Sequence, residues 1–104
     1  MITLFIGCNV NLRHVHTLAH VVEVCHAAGI DNLTASEALG STLEWGQETT
    51  VRIETTSCTR AQVREVAQRL SQECILVAVP GKRPRLVNAN PNKADTDLYI
   101  ETDL

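Results

Sequence analysis

Residues 59–79 read TRAQVREVAQRLSQECILVAV, a helix that hands over directly to a strand. Thr59 followed three residues later by Gln62 is a capping box. Its hydroxyl can take the Gln62 amide while the Gln62 side chain takes the Thr59 amide, which satisfies two donors that a helix start leaves unpaired. From there Val63, Val66, Ala67 and Leu70 recur at the spacing that puts them on one helical face. Arg60, Arg64, Glu65, Gln68 and Arg69 cover the outer face. Ile75–Val79 is then apolar throughout and is stopped by Pro80-Gly81. A run of that kind is buried on both sides or occupies the centre of a sheet.

The same grammar extends upstream. Ile2–Cys8 is a short apolar run with β-branched members, ended by the turn-prone Gly7-Cys8-Asn9, and reads as a buried strand. Residues 12–28 read as a helix started by Asn9 or Asn11, with Leu12, Val15, Leu18, Ala19, Val22 and Cys25 as its apolar stripe. Gly29 suits the left-handed position that ends a helix, with Ile30 supplying the accompanying apolar contact. Leu33–Leu39 and residues 49–56 alternate as strands; Val51 and Ile53 face one way, Arg52 and Glu54 the other. Between them Leu43 and Trp45 can lengthen the first strand into a hairpin bent at Gly46.

Downstream of Pro84, Arg85–Asn88 reads as a short fifth strand and Asn88-Ala-Asn-Pro-Asn-Lys as a loop. Asp95–Leu104 is acidic with Leu98, Ile100 and Leu104 interspersed. The division is one domain over 1–88, followed by an acidic C-terminal tail or edge strand over 89–104. The order β-α-β-β-α-β is that of a ferredoxin-like α+β sandwich: an antiparallel sheet with two helices on one face, and room for extra C-terminal strands. Val51, Ile53, Leu76 and Ala78 cannot all point beneath the helices. Some apolar surface is left for the second sheet face, which predicts a homodimer formed through that open face, since such patches rarely stay bare.

Two stretches carry a resemblance: Glu44-Trp45-Gly46-Gln47-Glu48-Thr49-Thr50-Val51 at the hairpin, and Leu70-Ser71-Gln72-Glu73-Cys74-Ile75-Leu76-Val77 where the second helix meets its strand. Over residues 2–80 the layout resembles small uncharacterised proteins encoded by bacteriophages and some bacteria, in which a Gln-Glu pair precedes the last core strand. The resemblance implies a ferredoxin-like fold and a phage context. It carries no activity, and the tail after residue 88 lies outside it.

Bulk composition narrows the function classes. A chain of 104 residues fits one domain, and 44% hydrophobic with 20% charged residues is ordinary for a globular one. Phe5, Trp45 and Tyr99 are its only aromatic residues, so the core is aliphatic and stacking platforms for single-stranded nucleic acid are scarce. A net charge of −3 and a pI near 5.7 also count against nucleic-acid binding. No window approaches the length of apolar chain that spans a bilayer, so no membrane association is expected. Met1-Ile2-Thr3-Leu4 lacks the charged segment and apolar run of a secretory leader. The four cysteines, Cys8, Cys25, Cys58 and Cys74, show no metal-ribbon spacing and read as reduced, mostly buried thiols of a cytoplasmic protein.

Four constellations could carry chemistry. His16 and His20 at i and i+4 of the expected helix, with Glu23 near the same line, could hold a divalent metal; the preferred reading is a solvated helix face. Cys8 at the end of the first strand could act as a nucleophile with His14 nearby, but no oxyanion loop accompanies it, and a structural role is preferred. Lys82, Arg83 and Arg85 on a stiff turn could meet phosphates or an acidic partner; the competing reading is a soluble hairpin tip. Trp45 beside Gly46 is a natural interface anchor if exposed. The sequence therefore points to a small binding or interaction protein that self-associates, with no evident catalytic role and no cofactor. A metal-binding regulator or enzyme using His16/His20 or Cys8 is the alternative.

Overall fold

The computed structural model describes residues 1–10, 13–42 and 46–97. In chain order the elements are β1 (Ile2–Gly7), β2 (Asn9–Val10), β3 (Arg13–His14), α1 (Leu18–Ala27), β4 (Leu33–Thr42), β5 (Gly46–Thr55), α2 (Arg60–Arg69), β6 (Cys74–Ala78), β7 (Arg85–Asn88) and β8 (Thr96–Asp97). Six of the strands form one sheet in the order β4-β5-β1-β6-β7-β8, and every neighbouring pair is antiparallel. β2 and β3 form a separate two-residue ribbon. The protein is thus α+β, with two helices packed on an antiparallel sheet.

Strand alternation sorts the sheet into two faces. Leu4 lies opposite Ile53 on β5 and Val77 on β6, and Ile6 lies opposite Val51. These side chains join Ile75 and Val87 beneath Val21, Val24 and Cys25 of α1 and Val63, Val66 and Ala67 of α2 in one apolar cluster. Because every sheet residue in that cluster has the same parity, both helices lie on the same face.

The second helix matches the sequence closely. Its box is complete: the Thr59 amide donates to Gln62 Oε1 at 2.8 Å, and the Gln62 amide donates to Thr59 Oγ1 at 3.1 Å. Val63, Val66, Ala67 and Leu70 are its buried residues, as the spacing predicts. The helix closes with a Schellman arrangement, Ser71 taking the left-handed φ of 55° that glycine usually supplies. α1 ends the same way with the expected residue: Gly29 has φ 91°, and Ile30 is 1% exposed.

The first helix is shorter than its pattern implies. It begins at Leu18, not residue 12, and its cap is Thr17, whose Oγ1 accepts from the His20 amide at 3.1 Å. Before it come the paired strands β2 and β3, and the Val15 and His16 amides both donate to the Cys8 carbonyl at 3.0 Å. Val15 is consequently 56% exposed, and the inward face is Val21, Val24 and Cys25, with Leu18 and Val22 at its margin. The strand boundaries shift less. β4 and β5 run on to Thr42 and back from Gly46, making a ten-residue hairpin ladder that outruns β1. β6 is central, as its apolar run implies, but is buried chiefly on one face: Ile75 is fully buried, Leu76 and Ala78 only partly.

Residues 89–97 are tied to the domain. The Ala89 amide donates to the Glu73 carbonyl, and Thr96 pairs with Leu86 to put β8 on the sheet edge. Among the described residues no helix is long and apolar enough to cross a membrane.

Candidate functional site

His16 lies in the segment before α1, so the expected i, i+4 pair on one helix is not formed. It is buried at 7% exposure, and its Nε2–H donates to the Leu70 carbonyl at 2.6 Å, fastening the entry of α1 to the end of α2. His20, exposed on the first turn, stacks on it with ring centroids 5.4 Å apart and planes 23° apart. Stacked rings present their faces to one another, whereas ligation needs two in-plane nitrogens converging on a point. Glu23 is exposed on the same helix. Among the described residues no group of three His, Cys, Asp or Glu is placed to hold a metal ion.

Cys8 is fully buried in the core cluster. His14 is engaged elsewhere, its Nε2–H donating to the His16 carbonyl at 2.9 Å. All four cysteines are free thiols. Burial, reinforced by nearby Cys58, pushes the Cys25 thiol up to about 11 from an ordinary value of 9.0. Burial raises Cys58 and Cys74 as well, which suppresses the thiolate that nucleophilic chemistry requires.

This arrangement has a pH consequence. In the unfolded chain the Cys25 thiol ionises near its ordinary value, while in the folded chain it keeps its proton to about 11. Between those values the folded state holds the extra proton, so stability is intact below the lower value and falls as pH rises through the window. The loss is about 1.4 kcal/mol per pH unit, or roughly 2–3 kcal/mol in all. Urea denaturation at pH 8 and pH 10.5 should show Cys25→Ala losing about 2 kcal/mol less than wild type over that interval.

The basic turn has a setting the sequence did not reveal. Lys82, Arg83 and Arg85 are among the residues that line a cavity of about 430 Å³ bordered by β6, β7 and the first turn of α2. Arg60, Val63, Val77 and Val87 line it as well. Arg60 and Arg64 converge on the Asp95 carboxylate, at 3.3 and 3.1 Å, and Asp95 Oδ1 also accepts the Asn88 amide at 2.9 Å. Sequence reading missed Arg60 as a companion of the turn, and Asp95 as its partner, because the residues are brought together only by the fold. Trp45 lies outside the described residues.

The sheet face away from the helices carries the remaining feature. Phe5 on β1 is opposite Leu76 on β6, and Leu76 is opposite Leu86 on β7. The three form a row across three strands; none belongs to the core cluster, and each is partly exposed. Ala78 adjoins the row opposite Thr3. The β4–β5 half of the same face is polar, with Thr34, Ser36 and an Arg52–Glu54 ion pair at 3.3 Å.

No family model, curated protein or solved structure matches this chain. The candidate sites therefore rest on their geometry.

Proposed function

We propose that this is a small, non-catalytic binding protein that works as a pair of copies joined through the open sheet face. The observation that carries the reading is the Phe5–Leu76–Leu86 row, an apolar strip that both helices leave uncovered. A second copy related by a two-fold axis sets strip against strip, and keeps the polar β4–β5 halves at the rim where they stay wet. That division, an apolar centre within a polar margin, is the ordinary anatomy of a stable interface. An isologous pairing also makes one patch its own partner, so no other protein is required.

The fold supports the same reading. With β1, α1, β4, β5, α2 and β6 taken as the core, the strand order second, third, first, fourth supports a ferredoxin-like βαββαβ reading in which β7 and β8 are additions at the edge. Such a sandwich has one helix-covered face and one open one. Free thiols favour a reducing compartment, in keeping with a cytoplasmic protein, and the resemblance to phage-encoded proteins adds a phage context. The described His14 and His16 rings, both committed to backbone carbonyls, speak for structural roles over metal or acid–base chemistry.

Sedimentation equilibrium tests the pairing. The wild type is expected to approach twice the monomer mass of 11.4 kDa as concentration rises through the micromolar range. Leu76→Glu, which puts a charge at the centre of the strip, is expected to stay monomeric with an unchanged circular-dichroism spectrum. A wild type that remains monomeric up to millimolar concentration overturns the proposal.

A further inference from the structure

We infer that the outer edge of β4 is a strand-addition site, where an extended peptide with a basic side chain docks antiparallel to the strand. The site lies at the edge of the sheet, apart from the open face, so it stands whether or not two copies pair through that face.

β4 is the outermost strand on its side of the sheet, and among the described residues β5 is its one neighbour. The Cys8 amide donates to the Thr49 carbonyl at 3.0 Å, so Thr49 turns its backbone groups toward β1. Along an antiparallel strand these groups point alternately to the two sides. Glu48, Thr50, Arg52 and Glu54 therefore turn theirs toward β4, where they meet Gly40, Ala38, Ser36 and Thr34 in register. The N–H and C=O groups of Leu33, Ala35, Glu37, Leu39 and Ser41 are left facing outward, a row ready to receive another strand.

Sheet edges are commonly blunted by a very short strand, a lysine, a proline or a bulge, each of which discourages a further strand. β4 has none of these. It runs for ten residues, Leu33–Thr42, without Pro, Lys or Arg, and its register partners on β5 follow one another without a break. The opposite edge differs, since the described part of β8 is two residues long. Thr34, Ser36 and Ala38 are exposed and short, so the side chains of an incoming strand meet no obstruction beside them.

Charge selects the occupant. Glu37 is the only charged residue of β4, is exposed, and sits at one of the outward backbone positions. It is in no ion pair with any of the described residues. A basic side chain directly opposite it supplies the missing partner, and opposite charges across a strand pair stabilise that pair. The main-chain bonds then give affinity and the Glu37 pairing gives register. A second copy fits less well. The two-fold register that pairs all five outward residues sets Glu37 against the partner's Glu37, where like charges repel, and every other register gives up hydrogen bonds.

Titration with the peptide acetyl-Thr-Val-Thr-Lys-Thr-Val-Thr-amide, followed by amide shifts and hydrogen exchange, tests the inference. Saturable binding is expected, with new protection at the Ala35 and Glu37 amides and little change at Thr34, Ser36 and Ala38, which β5 already holds. A Glu-for-Lys peptide should bind about threefold more weakly or worse, and Glu37→Lys should reverse that preference. N-methylating the two Val amides, which face β4 when Lys is opposite Glu37, should abolish binding; N-methylating the Thr amides should not. Ala35→Pro removes an outward donor that β5 does not use, so it should keep the fold and lose the peptide. Leu76→Glu should bind the peptide as the wild type does, which separates this site from the pairing. Protection at Ser36 in place of Ala35 and Glu37, indifference to Val N-methylation, no reversal in Glu37→Lys, or no saturation by about 5 mM would each overturn the inference. So would outward amides that gain protection with protein concentration alone, since a second copy would then hold the edge.

Discussion

Leu4→Ala is expected to lower the unfolding free energy by about 3–5 kcal/mol, the upper part of the range for leucine truncations in rigid cores. Leu4 is fully buried and lies in register with Ile53 on one side and Val77 on the other, so three strands and the helices above them would have to move to fill the void. Sheets yield poorly to such collapse, because their ladders fix the spacing of the strands at about 4.8 Å. A domain of this size has roughly 5–15 kcal/mol to lose, so the variant should melt on the order of 15–25 °C lower. Urea denaturation gives the number. The next residue should behave differently: Phe5 points to the opposite face and is partly exposed, so Phe5→Ser should cost the isolated chain about half as much or less, and weaken association instead. Two adjacent residues thus report separately on folding and pairing.

Asp95→Ala carries the second large effect, a loss of about 2–4 kcal/mol. The carboxylate is 7% exposed and meets Arg60, both Arg64 contacts and the Asn88 amide. Removing it leaves the half-buried Arg64 guanidinium and a buried amide without their acceptor, and an abandoned buried partner costs more than the intact pair contributes. The Arg64 Nε bond to the Asn88 carbonyl, at 3.0 Å, survives the change and limits the loss. Because Asp95 ties residues 89–97 to α2, hydrogen exchange should show the amides of Leu86 to Asp97 losing protection before the rest of the sheet. Asp95→Asn should recover part of the loss by keeping an acceptor for the Asn88 amide.

The parts of the fold that could be read from the chain are those with local causes. The capping box at Thr59, the stripe from Val63 to Leu70, the stop at Pro80-Gly81 and the left-handed Gly29 all act within a few residues, and they reappear in place. The start of α1 was obscured because Val15, Leu18 and Val22 spell one helical face while Val21, Val24 and Cys25 spell a neighbouring one. The choice falls to the Thr17 cap and the Cys8 carbonyl, which keep residues 13–16 out of the helix. A ribbon of two paired residues per strand, as in β2 and β3, has no periodicity to detect. The Asp95 cluster and the cavity joining Arg60 to Lys82 depend on contacts across 31 and 22 positions of sequence, and no short-range pattern announces them. His16 illustrates the same limit: spacing suggested a ligand, whereas its partner, the Leu70 carbonyl, lies 54 residues away.

The claim on which the functional account turns is that the side of the sheet bearing Phe5, Leu76 and Leu86 is where two copies meet. Isotope-filtered nuclear Overhauser spectra on an equal mixture of labelled and unlabelled protein test it most directly. Cross-peaks between copies are expected from the Leu76 and Leu86 methyls to the Phe5 ring and Ala78. Intermolecular cross-peaks arising instead from α1, α2 or the outer edge of β4, or none at a concentration where sedimentation shows a dimer, would contradict it.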